Sequence, residues 1–216
     1  MLRYSDLVTQ ADPYSRIARI YDRLIEPMQA GVRRVALDVV PPQPDWQVLD
    51  VGCGTGTGIA RYLEAGCVAS GVDVSAAMLE QASARLGDRA QLQLISGETL
   101  PFDADRFDLV TTSMVLHEVP TTDRLALLAE MARVTAPAGR LLIIDFRFGS
   151  LRGWKGPTFR AMSVLIERFS GHYGGYKSFK ASDGVRGLAA KAGLPVEREQ
   201  IVAGGNVAIY VLAPSQ

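Results

Sequence analysis

The chain has 216 residues, of which 48% are hydrophobic and 21% charged, as in ordinary globular domains. Lys and Arg together number 23, as do Asp and Glu, so the balance of charge predicts no nucleic-acid partner. Cys53 and Cys67 have neither a disulfide framework nor metal-ligand spacing, which predicts reduced thiols and no metal site. No apolar run approaches the roughly 20 residues of a membrane span, and the start of the chain lacks a signal peptide's apolar stretch, so we expect a cytoplasmic protein.

Residues 1–44 are predicted to form an N-terminal arm and a lid helix. Apolar residues recur at helical spacing over 14–28, with arginines largely on another face, which indicates an amphipathic helix. The segment PPQP at 41–44 breaks the chain and marks the domain boundary. Because this region also carries Arg33 and Arg34, it either docks on its own domain, as most amphipathic helices do, or touches a membrane surface.

From residue 45 to 216, apolar strand patterns alternate with helical patterns. This predicts a doubly wound, Rossmann-like α/β fold: a mostly parallel sheet of seven strands with helices on both faces. A turn signal, AGG at 203–205, joins the last two strands into a hairpin and so predicts an antiparallel edge strand. A helix at 182–192 is predicted to end at Gly193 in a left-handed cap. The predicted strands cover 46–51, 67–74, 91–96, 107–115, 139–146, 196–202 and 206–212.

Residues 149–180 depart from this alternation and are expected to form an inserted substrate segment. Residues 154–170 are predicted to be helical, and HYGGYKSF at 172–179 is predicted to be an ordered loop at the place where a substrate lid is expected. The alternative is a solvated aromatic loop with no ligand. The candidates for substrate contact here are His172, Tyr173 and Tyr176.

A glycine-rich loop, VGCGTG, follows the first predicted strand, at the end of a doubly wound sheet where ligands bind. A dinucleotide fingerprint needs glycine at the sixth position, but counting from Gly52 that position is Thr57. Asp50 would repel a diphosphate and suits a ligand with an ammonium group, such as S-adenosylmethionine. About twenty residues on, Asp73 ends the second strand and can accept hydrogen bonds from both hydroxyls of a ribose. The loop therefore favours S-adenosylmethionine over a nicotinamide dinucleotide.

With these motifs the chain resembles the class I S-adenosylmethionine-dependent methyltransferases. The motifs follow one another in the order found in that family, and the resemblance covers about residues 14–148. The resemblance implies direct methyl transfer to a small-molecule acceptor, with S-adenosylhomocysteine as the product. A protein that binds the cofactor without catalysis is the alternative, since a fold alone does not define a function. The stretches that carry the resemblance are VLDVGCGTG (48–56), GVDVSAAML (71–79), ISGETLPF (95–102), RFDLVTTSMVLHEV (106–119) and EMARVTAPAGRLLIIDF (130–146).

Within the family, SRIARIYDRLIEP (15–27) is similar to the start of the ubiquinone/menaquinone biosynthesis methyltransferases and of related phospholipid N-methyltransferases. In both groups a helix with a Tyr-Asp pair folds over the cofactor. SMVLHEV (113–119) departs from the pattern of quinone-ring methylation, so the resemblance leaves the substrate class open. A lipid or quinone-precursor acceptor would imply peripheral contact with a membrane.

The resemblance also implies roles for individual residues. His117, after the fourth strand, is a candidate general base if the nucleophile is a hydroxyl or an acidic carbon; the alternative is a histidine bonded to a backbone carbonyl. Tyr14 and Tyr21 could close over the sulfonium, since aromatic faces attract cations, and Tyr14 would also face the substrate. The candidate cofactor-binding residues are Asp50, Gly52, Gly54, Asp73, Val74, Met78, Glu98, Thr99, Ser113 and Tyr21.

Overall fold

A seven-stranded sheet with helices packed against it organises the chain. The structure, a computed structural model, describes residues 12, 14, 18–97 and 99–214, without the side chains of residues 19–28, 169 and 170. The strands are β1 (Gln47–Val51), β2 (Val68–Asp73), β3 (Ala90–Leu94), β4 (Phe107–Ser113), β5 (Thr135–Phe146), β6 (Val196–Val202) and β7 (Val207–Leu212). The α-helices are α1 (Ala18–Val39), α2 (Thr57–Glu64), α3 (Ala76–Leu86), α4 (Arg124–Val134), α5 (Lys155–Ser170), α6 (Tyr173–Ala181) and α7 (Gly184–Ala192).

The strand order is β3-β2-β1-β4-β5-β7-β6. Strands β1 to β5 run parallel, and β7 pairs antiparallel with both β5 and β6. The predicted Rossmann-like, mostly parallel sheet with an antiparallel hairpin at one edge is therefore confirmed. The chain order reverses between β1 and β4, and ligands of such sheets bind at the carboxyl ends of the strands beside this switch point.

The inner strands of the sheet are buried over most of their length because both faces of the sheet are covered there, whereas the edge strands β3 and β6 are more exposed. β1 is buried from Val48 to Val51 and β7 over its whole length, which is why these segments lack the alternation of a half-exposed strand. Helix α4 packs on α7 and β5, and α2 packs on β1 and β2.

Helix α1 extends to Val39, well past the predicted end at residue 28. Its buried side chains Ala36 and Val39 belong to the core, and Arg198 donates a hydrogen bond from Nη1 to the carbonyl oxygen of Val39 at 3.1 Å. The C-terminal half of α1 therefore docks on the chain's own domain.

The prediction of a loop at 172–179 is wrong, because residues 173–179 lie in helix α6 and His172 directly precedes it. The adjacent glycines 174 and 175 lower the helix propensity of the segment, but Tyr176 and Phe179 are buried one turn apart and anchor it. Gly175 is needed for close packing, since an added Cβ would lie 2.5 Å from the carbonyl oxygen of His117. Tertiary packing overrides the local preference.

Candidate active site

A cleft opens at the carboxyl ends of β1 and β4, beside the switch point of the sheet. The space within it, counted together with the space open to solvent, is about 620 Å³. Helix α1 closes one side with Gln29 and Arg33. The predicted cofactor-binding residues that line the cleft are Asp50, Gly52, Gly54 and Ser113.

The glycine loop brings bare backbone to this cleft. The backbone N–H groups of Gly52 and Cys53 both donate to the carbonyl oxygen of Val72, at 2.8 and 3.0 Å, so the loop wraps over the end of β2. Gly52 has φ +73°, and an added Cβ would lie 2.4 Å from Val115 Cγ2, so glycine is required there. At Gly54 an added Cβ would meet nothing within 4 Å, which leaves room for a ligand against the backbone.

Asp50 places a buried carboxyl group on the floor of the cleft. Burial raises the pKa of Asp50 to about 7; the positive charge of Arg33 works against this rise and the charge of Asp73 adds to it. A carboxyl group with so high a pKa lacks sufficient positive charge around it, and a ligand's ammonium group would supply it. The Asp50 carboxylate therefore fits the ammonium group of S-adenosylmethionine, as its hydrogen-bond acceptor and counter-ion.

Asp73 is held in one orientation by two backbone donors. Its Oδ2 accepts a hydrogen bond from the N–H of Gly54 at 2.7 Å, and its Oδ1 accepts one from the N–H of Ser75 at 2.9 Å. Burial nevertheless raises the pKa of Asp73, although both donors act to lower it. A carboxylate has about four lone-pair sites, so two remain for the hydroxyls of a ribose.

Three of the other predicted cofactor residues, Val74, Met78 and Thr99, do not line the cleft. Val74 is half-buried, Met78 is buried at the start of α3, and Thr99 is exposed. Glu98 and the side chain of Tyr21 are outside the described residues, so the roles assigned to these five positions stay predictions.

Asp12 of the N-terminal arm contacts this region although no sequence motif indicated it. Its carboxylate accepts hydrogen bonds from Ser75 Oγ at 2.8 and 2.9 Å and from the N–H of Ala77 at 3.1 Å, at the first turn of α3. The arm is thereby tied to the end of β2, next to Asp73.

His117 lies in a buried cluster of carboxylates. Its Nδ1 is 2.8 Å from Asp145 Oδ1, its backbone N–H donates to Asp145 Oδ2 at 3.3 Å, and its Nε2 is 3.5 Å from Glu167 Oε1. Burial lowers the pKa of His117, but Asp145, Glu167 and Glu118 outweigh this effect and raise it to about 10. The imidazole is therefore protonated at neutral pH, and only 1% of the residue is exposed.

Glu118 joins the predicted substrate residues Tyr14 and His172. It accepts a hydrogen bond from the Tyr14 hydroxyl at 2.5 Å, and its Oε1 is 3.3 Å from His172 Nδ1. Burial raises the pKa of Glu118, but the His172 hydrogen bond and the charge of His117 outweigh it, so the pKa is lowered overall and the group is a carboxylate. Its side chain is 31% exposed, so a ligand can reach it. In the sequence, only its position next to His117 indicated that Glu118 could belong to the site.

Tyr173 and Tyr176 differ in their surroundings. Tyr176 is buried, with its ring edge-on to Phe146 and Phe148 at centroid distances of 5.0 and 5.4 Å, so it packs as part of the core. Tyr173 is half-buried and stacks on Tyr176 at 6.3 Å. Of the two, Tyr173 is the one whose ring a ligand can reach. Within the described residues, no group of His, Cys, Asp and Glu has the arrangement of a metal site.

Comparison with known proteins relates this geometry to a reaction. A family model described as a methyltransferase domain matches residues 48–139. The demethylmenaquinone methyltransferase of Beutenbergia cavernae is 30% identical over 217 residues, an alignment that spans 93% of this chain and 88% of the relative. That of Renibacterium salmoninarum is 35% identical over 150 residues, which span 67% of this chain and 61% of the relative.

Two solved structures share the fold. A chain of the complex between the Haloferax volcanii Trm112 methyltransferase activator and a methyltransferase aligns with a TM-score of 0.77 and 18% identity, over 96% of this chain and 100% of that one. An S-adenosylmethionine-dependent methyltransferase from Aquifex aeolicus aligns with a TM-score of 0.65 and 19% identity, over 95% and 100% of the two chains.

The fold, the glycine loop and the two buried aspartates define an S-adenosylmethionine-dependent methyltransferase that acts on a small molecule. The chain belongs to the class I S-adenosylmethionine-dependent methyltransferases, in the group that contains the demethylmenaquinone methyltransferases and the ubiquinone/menaquinone biosynthesis C-methyltransferases. The prediction from the motifs that the chain is a methyltransferase is confirmed, and so is the prediction that S-adenosylmethionine is its cofactor.

Proposed function

We propose that the chain methylates a ring carbon of a quinone in its reduced, hydroxyl-bearing form; its relatives are named for demethylmenaquinone and for ubiquinone/menaquinone biosynthesis. The observation that carries this proposal is Glu118, a carboxylate that a ligand can reach, held by Tyr14 and His172 at the edge of the cofactor site. Glu118 lies close enough to Asp73 for its charge to raise the pKa of Asp73. An acceptor hydroxyl at Glu118 would therefore lie beside the cofactor.

The cofactor would lie along the glycine loop. Asp50 would bind the ammonium group of the methionine end and Arg33 its carboxylate, since both line the same cleft and differ in charge. Asp73 would bind the ribose with the lone pairs that Gly54 and Ser75 leave open. Ser113 would contact the methionine end from β4.

The bound cofactor supplies a methyl group that is already activated by its sulfonium, so the chain must mainly align the acceptor and take up a proton. A quinone ring is electron-poor, whereas its reduced form is a nucleophile once a hydroxyl gives up its proton. Glu118 would accept that proton. The ring carbon would take the methyl group as S-adenosylhomocysteine leaves, the ring would lose its hydrogen as a proton to water, and Glu118 would return its proton to the hydroxyl oxygen.

The role of His117 as the general base stays a prediction, and its surroundings favour a different role. A protonated imidazole has no free lone pair, and His117 is buried, with its Nε2 3.9 Å from Oε1 of the partly exposed Glu118. We propose that His117 is a positioning residue, whose positive charge holds Asp145, Glu167 and Glu118 in place.

A methyl-acceptor assay tests the proposed function. Purified protein is incubated with S-adenosylmethionine carrying a deuterated methyl group and, in turn, with a reduced naphthoquinone that has an open ring position, the same compound oxidised, a simple catechol and phosphatidylethanolamine. We expect labelled carbon-methylated product from the reduced naphthoquinone only. Labelling of phosphatidylethanolamine in place of the naphthoquinone would overturn the proposal and assign the chain to amine methylation.

A further inference from the structure

Helix α5 turns an apolar face to solvent. Trp154, at the start of this helix, is 79% exposed, and Leu165 and Ile166 are 54% and 36% exposed. Trp154 and Leu165 are three turns apart, with the exposed residues Thr158 and Ala161 between them on the same side of the helix. Single exposed apolar residues are ordinary, but a row of them led by a tryptophan indicates a surface that binds something.

The cations around this face are not matched by exposed acids. Residues 151–181 contain six Lys and Arg and one acid, in a chain whose total charge is zero. That acid, Glu167, is buried and points inward at His117. The exposed cations of the segment are Arg152, Lys155, Arg168, Lys177 and Lys180.

The opposite face of α5 is fixed to the domain, so among the described residues none packs over the outward apolar row. Arg160 donates to the carbonyl oxygen of Arg147 at 2.6 Å and also to Asn206 Oδ1. Asn206 in turn donates to Ser163 Oγ at 2.9 Å. These polar contacts hold the helix in one orientation, with Trp154 and Leu165 outward.

We propose that the outward face of α5 docks on a membrane surface that carries anionic lipids. A helix in the membrane interface combines a row of Trp and Leu with flanking Lys and Arg, as this one does. Lys155 Nζ lies 5.5 Å from the ring of Trp154, so cation and aromatic ring would reach the headgroups together. Within the described residues no helix is long and apolar enough to cross a bilayer.

Two further observations favour lipid over a second copy of the chain. In a two-fold dimer through this face the cations would oppose one another, and like charges repel. The same segment also covers the acceptor side of the site, since α5 supplies Glu167 and α6 follows directly on His172, which contacts Glu118. Docking here would bring the acceptor site next to the lipid. The inference goes beyond the proposed function, because docking requires no particular acceptor.

Vesicle flotation of the full chain tests the proposal. We expect binding to vesicles of phosphatidylcholine with about a third phosphatidylglycerol, at least about tenfold stronger than to phosphatidylcholine alone and weakened by salt. Trp154→Ser combined with Leu165→Gln should abolish binding, and Lys155→Glu should weaken it. Leu94→Gln, which removes a 50% exposed leucine on β3, is the matched control and should bind as the parent does.

Three results would overturn the proposal. They are no binding to anionic vesicles, equal binding by the double variant, and a solution dimer that the double variant dissociates, which would assign the face to a second copy. Titration with S-adenosylhomocysteine shows that each variant is folded. Methylation of a water-soluble acceptor should persist in the double variant, so failure of docking and failure of the proposed function are distinguishable.

Discussion

The N–H of Gly54 donates to the carboxylate of Asp73 at 2.7 Å and thereby joins the glycine loop after β1 to the end of β2. Two segments that carry separate sequence motifs thus form one structural unit. The acid that would bind the ribose also fixes the backbone along which the cofactor would lie. Loss of the Asp73 carboxylate should therefore weaken both the ribose contact and the fixed position of the glycine loop.

Asp73→Ala should weaken the binding of S-adenosylhomocysteine at least about tenfold, or about 1.4 kcal/mol, because it removes the ribose acceptor and frees the Gly54 loop. Isothermal titration calorimetry measures the change. Asp88→Ala, which removes an exposed carboxylate, is the control and should bind normally. Unchanged affinity in Asp73→Ala would remove the ribose assignment.

Asp50→Asn should weaken cofactor binding yet stabilise the fold. The pKa of Asp50 is raised to about 7, so the folded state holds the proton more tightly than the unfolded state, and stability is lost as the pH rises from about 4 to 7. The asparagine amide is uncharged and does not lose stability in this way, so the Tm of Asp50→Asn at pH 8 should be higher than that of the parent by a few degrees. Thermal unfolding at pH 5 and pH 8 checks this; a lower Tm for the variant at pH 8 would contradict it.

His117→Asn should destabilise the protein by about 3–5 kcal/mol at pH 6, because it leaves buried carboxylates without their cation. The raised pKa of His117, about 10, means that its stabilisation is complete below about pH 6.5 and is lost as the pH rises towards 10. Urea unfolding from pH 6 to 10 should therefore show the gap between parent and variant closing. A gap independent of pH would mean that His117 is neutral in the fold.

Glu118→Gln should lower kcat about 10²–10⁴-fold and leave the affinity for S-adenosylhomocysteine within a few fold, as expected for loss of a general base. Because the pKa of Glu118 is lowered, kcat of the parent should be flat from neutral to alkaline pH. Glu80→Gln, at an exposed position on α3, is the control. If His117 is the base instead, kcat should rise with pH towards about 10.

Replacing either of the two glycines of α6 by alanine should change the stability of the fold, but in opposite directions. Gly175→Ala should destabilise the fold by about 1–3 kcal/mol, since its Cβ would meet the carbonyl oxygen of His117 at 2.5 Å. Gly174→Ala should stabilise it by up to about 1 kcal/mol, since its Cβ would meet nothing within 4 Å and alanine favours the helix. Denaturant unfolding of both variants provides the comparison, and equal effects would contradict the packing of α6.

The sequence by itself determined the sheet, the glycine loop and the two cofactor aspartates. Strand and helix periods are local, and Asp50 and Asp73 lie at strand ends that the order of a doubly wound sheet brings to one edge. It also placed His172 and His117 in separate segments near the acceptor. That both histidines lie next to Glu118 could not be predicted from local patterns.

Only the tertiary structure decided the acceptor side. Glu118 contacts Tyr14 across 104 residues and His117 contacts Asp145 across 28, and no local period encodes such pairs. The same packing made α6 a helix despite its glycines and brought Arg33 to the cleft. Packing then set the charge state of His117: burial alone would lower its pKa, but the carboxylates packed around it raise the pKa and keep it protonated, a property that depends on neighbours distant in the chain.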